Sequence, residues 1–238
     1  MWRYLRPLSY LVCALIGGLT VLQPTIRVQT PLLSVAFLIV VFTICAVPTI
    51  QALGWKKGVG LLISLTLFAL LFETIALRTG FPYGEFSYTG QIGTMLPGGA
   101  SWTIAFGWIP FVLYATQRVQ AIPSFWKKLL VGTGIICAID LCIDPIATAL
   151  GFWQWPSSGW YYGVPLQNFG GWLISGAIGL AIAGYWQRRS TPLPDSLRTA
   201  ALLLLAFHTG AALVFHFWLP AGVGIFFFLT EFLKKRNV

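Results

Sequence analysis

Apolar runs of about 18 or more residues recur along most of the chain, broken by short polar segments, and each is long enough to cross a bilayer core of ~30 Å. Reading runs between breaks predicts helices at about Leu8–Gln23, Pro31–Leu53, Val59–Leu77, Ser101–Gln117, Leu129–Leu150, Phe169–Trp186 and Leu197–Leu219, with a short last one near Val223–Leu233. The expected fold is therefore all-α: a polytopic transmembrane bundle of about eight spans, forming one integral-membrane domain over residues 1–238. Eight crossings return both termini to one side. The last run is short for a full crossing, so a seven-span arrangement is the alternative.

Charge sets the orientation. Arg3, Arg6, Lys56, Lys57, Arg118, Lys127, Lys128, Arg188, Arg189, Arg198, Lys234, Lys235 and Arg236 fall at one end of the eight-span layout, leaving Arg27 and Arg78 at the other. Cytoplasmic flanks of membrane helices collect Lys and Arg, so this asymmetry places both termini in the cytoplasm. With seven spans the terminal Lys234, Lys235 and Arg236 would lie outside. The expected location is the inner (plasma) membrane, with lipid as the surrounding partner.

Composition supports this picture. Only 9% of the 238 residues are charged and the mean hydropathy is +0.80, against about 25% charged in soluble domains. The net charge of +9 would suggest nucleic acid in a soluble chain, but these cations flank apolar runs and no nucleic-acid partner is expected. The basic, apolar start has no small-x-small cleavage site, so it reads as an uncleaved first helix. Cys13, Cys45, Cys137 and Cys142 lie inside spans without a C-x-x-C pair and read as small buried hydrophobes.

The acids carry the chemistry. Asp195 falls in a basic-side loop, and Glu231 beside the terminal cations is expected to be solvated or helix-dipole related. Glu73 lies in the third span, Asp140 and Asp144 in the fifth, and Glu85 in the loop after the third, so these four gather in the outer half. Ionisable groups within a span cost several kcal/mol and mark function by default. Asp140 and Asp144 are four apart and share a helical face. Two carboxyls so close in a low-dielectric setting do not both ionise cheaply, so the pair is expected to hold a proton. Pro145 leaves the Leu141 carbonyl without its helical partner, creating a polar notch beside Asp144. An internal echo links Glu73 to Asp144: each is followed seven residues later by Gly-Phe, at Gly80-Phe81 and Gly151-Phe152.

Both outer loops are rich in rings: Phe81, Tyr83, Phe86 and Tyr88 in one, and Phe152, Trp153, Trp155, Trp160, Tyr161 and Tyr162 in the other, with Asn168 and Trp172 following. Scattered Trp and Tyr ordinarily form a headgroup belt. Concentrated beside acids, ring faces worth ~0.5–2 kcal/mol each to a cation suit the shelter of a carbocation. His208 and His216 lie eight apart in the seventh span and are expected on one face, His216 nearer the outer end. Two histidines are too few for a membrane di-iron oxygenase. No G-x-G-x-x-G after a strand and no P-loop occur. Asp140-x-x-x-Asp144 resembles one aspartate motif of intramembrane prenyltransferases, but a second is missing. No metal or cofactor is expected, leaving acid–base chemistry on an apolar substrate with water as co-reactant.

Glu73 through Tyr88 and Asp140 through Trp172 resemble the two signature blocks of the integral-membrane carotenoid-biosynthesis family, which contains the carotenoid 1,2-hydratases and bisanhydrobacterioruberin hydratases. The order Asp144-Pro145, Trp153-x-Trp155, Tyr161-Tyr162-Gly163-Val164-Pro165 and Asn168-Phe169-x-Gly171-Trp172 carries the likeness, within a signature core of about 59–186. Tyr83 stands where the family pattern has Phe, and Gly98-Gly99 where Val-Pro often follows.

The resemblance implies hydration of the terminal C1,C2 double bond of an acyclic carotenoid end (lycopene, γ-carotene or bisanhydrobacterioruberin type) to a tertiary alcohol. On that reading Asp144 or Asp140 is the acid, Glu73 positions and deprotonates water, and Asn168, Tyr162 or His216 orders it. Tyr83, Tyr88, Trp153, Trp155, Tyr161, Tyr162, Asn168, Trp172 and His216 line the substrate site. The implied partners are the carotenoid itself and, as a neighbouring enzyme, a carotenoid glycosyltransferase or elongase. The alternatives are a lipid or carotenoid carrier, a small proton-coupled transporter, and a terpenoid isomerase or cyclase. Few polar residues in the cytoplasmic half argue against a transport path.

Overall fold

A computed structural model describes residues 2–23, 31–188 and 190–234, with side chains described from Arg6 to Leu233. Arg27, Arg189, Lys235 and Arg236, used above for orientation, lie outside the described residues, as does the side chain of Arg3. Among the described residues eight α-helices follow in order: α1 (Trp2–Leu22), α2 (Pro31–Leu53), α3 (Trp55–Thr79), α4 (Ile104–Val119), α5 (Phe125–Ala149), α6 (Leu166–Trp186), α7 (Arg198–Val214) and α8 (Trp218–Lys234). Among the described residues, five segments are long and apolar enough to cross a membrane: α2, α3, α5, α6 and Asp195–Val214, which contains α7. Large apolar side chains on their outer faces, among them Leu32, Leu67, Leu130 and Leu173, are exposed, as befits an apolar solvent around the bundle.

Helix α4 occupies the middle. It is buried on nearly every side, touches α2, α3, α5, α6 and α7, and follows the rule that a helix apolar all round is an interior one. Helix α1 is peripheral and leans on α7. That crossing is close because Gly17 faces the Phe207 backbone oxygen and Gly210 faces that of Ala14, where any Cβ would collide.

The two ends differ. At one, Lys57 Nζ donates to the Arg188 carbonyl (3.0 Å) and the Ser190 hydroxyl (2.8 Å). There Glu231 accepts from Arg118 at 2.8 Å, Arg198 at 2.9 Å and the Tyr114 hydroxyl at 3.0 Å. Glu231 is therefore not solvated or helix-dipole related as expected above, but the anion joining α4, α7 and α8. At the other end, the loops after α3 and α5 pair as two short antiparallel strands, β1 (Ser87–Tyr88) and β2 (Trp153–Gln154), with Tyr88 opposite Trp153.

Each of the first six apolar runs carries one helix, with starts displaced by up to six residues (α1 begins at Trp2 rather than Leu8, and α3 at Trp55 rather than Val59), whereas near the C-terminus the division itself differs. The run Leu197–Leu219 is not one helix: α7 stops at Val214, where Phe217 N–H bonds the Ala212 carbonyl and His216 N–H that of Leu213. His216 occupies the left-handed position of this Schellman turn with φ 58°. Helix α8 consequently starts at Trp218 rather than Val223. His216 lies in the turn and shares no helical face with His208.

Candidate functional site

Glu73 and Asp144 reach their places through matching helix ends. Helix α3 closes on Gly80, with φ 71°, whose N–H bonds the Ala76 carbonyl. Helix α5 closes on Gly151, with φ 72°, in a turn in which Phe152 N–H bonds the Ala147 carbonyl. Both glycines take the left-handed conformation that other residues adopt at a cost. Each carboxyl sits seven residues before its glycine, and the loops that follow pair through β1 and β2. The internal echo thus reflects two equivalent helix-to-loop transitions at one end of the bundle.

The two carboxyls open onto one cavity of about 390 Å³. Among the expected catalytic and substrate-site residues, Glu73, Asp144, Tyr83, Tyr88, Trp153, Trp155, Asn168 and Trp172 line it. Its other walls include Phe68, Phe72, Trp108 and Phe86, with Ile16 and Thr20 of α1 and Leu33 and Phe37 of α2. The wall is overwhelmingly hydrocarbon and ring, with a few polar groups converging from α3, α5 and α6, which is the usual make-up of a small-molecule pocket.

The polar groups form two linked sets. Tyr88 donates its hydroxyl to Glu73 Oε1. Burial, with the Glu73 carboxyl alongside, holds the Tyr88 phenol well above its usual range, so it remains a donor. Asn168 donates from Nδ2 to Asp144 Oδ2 and, at 3.2 Å, to Asp140 Oδ2; carboxyl oxygens facing it from both sides fix the amide's donor end toward them. Trp172 lies within hydrogen-bonding reach of Asp144, and Asp140 and Asp144 of each other. Asp140 Oδ1 is buried and has no donor among the described residues. A proton on one carboxyl of the pair would give this oxygen the donor role that a buried polar atom needs. Glu73 is also in electrostatic reach of Asp144.

Four expected site residues do not line the cavity. Asp140 is fully buried behind Asp144 and does not line the cavity. Tyr161 donates its hydroxyl to the Leu141 carbonyl at 3.0 Å, filling the vacancy that Pro145 creates in α5. Tyr162 packs its ring on Phe217, centroids 4.6 Å apart. His216 lies against the Trp218 ring at 5.4 Å. Glu85 is exposed and does not join the other acids.

His208 lines the cavity instead. Its Nδ1 lies 2.8 Å from the Leu204 carbonyl, an acceptor, so Nδ1 carries the hydrogen and, in the neutral ring, Nε2 offers a lone pair. Sequence spacing put both histidines on one face; only the early end of α7 separates them. The ring wall from Phe68, Phe72 and Trp108 was also missed, because aromatic residues deep in apolar spans look like any core.

The family model described as carotenoid biosynthesis protein matches residues 33–231. This chain belongs to the carotenoid biosynthesis protein family. Within it, the chain is 32% identical over 173 residues to the bisanhydrobacterioruberin hydratase of Haloarcula japonica, an alignment covering 68% of this chain and 58% of that protein. The chain thus spans less than two thirds of that relative's length. No solved structure matches. For this member of the carotenoid biosynthesis family, all of Glu73, Asp140, Asp144 and Asn168 fall inside the matched region.

Proposed function

We propose that this protein is a cofactor-independent carotenoid hydratase that adds water across a terminal carbon–carbon double bond to give a tertiary alcohol. The observation that carries the reading is the single aromatic-walled cavity onto which both Glu73 and Asp144 open. The hydratase relative supports the reaction class.

Protonation of C2 of a gem-dimethyl alkene leaves the positive charge on tertiary C1. Asp144, backed by Asp140 and braced by Asn168, delivers that proton. The rings of Tyr83, Phe86, Trp153 and Trp155 surround the cation with electron-rich faces while keeping bulk water out. Glu73, held by Tyr88, accepts a proton from the water that bonds to C1. His208 Nε2 is a second acceptor in the same cavity. Return of the proton from Glu73 to the Asp140 and Asp144 pair resets the site, so that the net change is one water added. On this reading the basic end, which holds the described cations other than Arg78, lies in the cytoplasm, as cytoplasmic flanks collect Lys and Arg, and the acid cavity lies toward the outer side of the cell membrane.

The test is to express the chain in a host that makes acyclic carotenoids and weigh the extracted pigments. Conversion to products heavier by one water is expected, and isomers of unchanged mass would refute hydration. Asp144→Asn and Glu73→Gln, at normal expression, should each lower conversion by roughly 10²-fold or more. Full conversion by both would remove the assigned roles.

A further inference from the structure

Among the described residues, the acid cavity reaches the lipid-facing surface of the bundle at one place. Most lining side chains are buried or half-buried, but Ile16 of α1 and Leu33 of α2 are 50% and 64% exposed while also lining the cavity. These two helices flank a seam. Helix α1 is fastened to α7 through Gly17 and Gly210, and α2 packs on α3, α4 and α7, yet α1 and α2 scarcely touch. Phe207 of α7 lies beneath both: its backbone meets Gly17, and its ring meets Phe37 of α2 with centroids 6.1 Å apart. The seam is therefore floored by Phe207 and Phe37 and rimmed by Ile16 and Leu33, all apolar.

We propose that this seam is a lateral mouth, through which a substrate's end group enters from the membrane while the rest of its polyene chain stays outside, lying in the bilayer. The inference rests on the hydratase reading for the substrate's identity. Two observations commit it to a long apolar chain. A cavity of about 390 Å³ lies toward the low end of pockets that enclose drug-sized ligands, so a whole carotenoid exceeds it. The rim carries no charged group among the described residues and is mostly hydrocarbon, with Ser34 beside Leu33 and the Thr20 hydroxyl donating to the Ile16 carbonyl at 2.8 Å, and a lipid-side opening suits a molecule that is dissolved in the bilayer rather than in water. Seating one end at a time makes hydration of a symmetric carotenoid distributive: the half-converted pigment leaves before its second end is presented.

The test places a photo-crosslinking benzoylphenylalanine at Ile16, at Leu33, or at Leu229, an exposed α8 position that does not line the cavity, in the full chain within carotenoid-containing membranes. Illumination should attach pigment covalently at Ile16 and Leu33 and not at Leu229. Phospholipid adducts alone at Ile16 and Leu33, pigment adducts equal at all three positions, or no adduct at either rim position would each overturn the proposal. During a time course of hydration the singly hydrated pigment should accumulate free of the protein before the doubly hydrated one. Direct appearance of the doubly hydrated product without that intermediate would also overturn it. Pigment adducts at the rim without any gain of water would leave the mouth standing and refute the hydratase reading, which keeps the two failures distinguishable.

Discussion

Tyr161 shows how a residue's chemistry is decided by what its neighbour lacks. Pro145 removes a hydrogen-bond donor from α5, and the orphaned Leu141 carbonyl takes the Tyr161 hydroxyl at 3.0 Å. A buried acceptor left without a donor costs about 1–3 kcal/mol, so Tyr161→Phe should destabilise the protein by about that amount. The measurement is the thermal denaturation midpoint in detergent, and an unchanged midpoint would contradict the role. The same logic separates legible from illegible site residues. Asp140 and Asp144 were readable because the i, i+4 spacing of charged groups in a membrane span has no cheap structural explanation. Tyr161 was read as part of a ring cage, since nothing in the order of residues says which hydroxyl reaches a given carbonyl. Asn168 was readable as a member of the site, whereas its bridging of two carboxyls depends on α5 and α6 meeting at that height.

Helices were legible where the local signals agree. Helix α2 begins at Pro31 and ends just before Gly54, and no charged residue falls between them. The break between α7 and α8 was hidden because a histidine, not a glycine, fills the left-handed cap. A side chain in that conformation costs roughly 1–2 kcal/mol, so His216→Gly should raise stability toward that amount and His216→Val should lower it. Chemical denaturation in detergent reads both, and the opposite order would mean that the imidazole makes a contact worth more than the backbone penalty. The polar cluster at the basic end was also out of reach of sequence reasoning. Glu231, Arg118 and Arg198 come from three helices, and their ion pairs at 2.8 and 2.9 Å exist only once those helices are packed.

At the scale of the molecule, polarity divides the two ends: cations with the Glu231 cluster at one, acids and rings at the other. Orientation in the membrane then has a direct check. Ser157→Cys, in the exposed loop after β2, should react with a membrane-impermeant maleimide on intact cells, and Ala121→Cys, in the loop between α4 and α5, only after permeabilisation. The reverse pattern would invert the proposed topology. The bundle of apolar helices was readable from hydropathy alone, because lipid demands the same of every span. Which helices enclose the cavity was not, because a wall that faces a pocket and one that faces lipid are built from the same residues.

Helix α1 lies outside the matched stretch 33–231 yet supplies Cys13, Ile16 and Thr20 to the cavity wall. Fastened to the rest by one close crossing, it is a panel that can be re-cut without disturbing the carboxyls it encloses. Diversification of substrate shape among relatives of this chain would then be written in the first twenty-odd residues, while the proton chemistry stays with α3, α5 and α6.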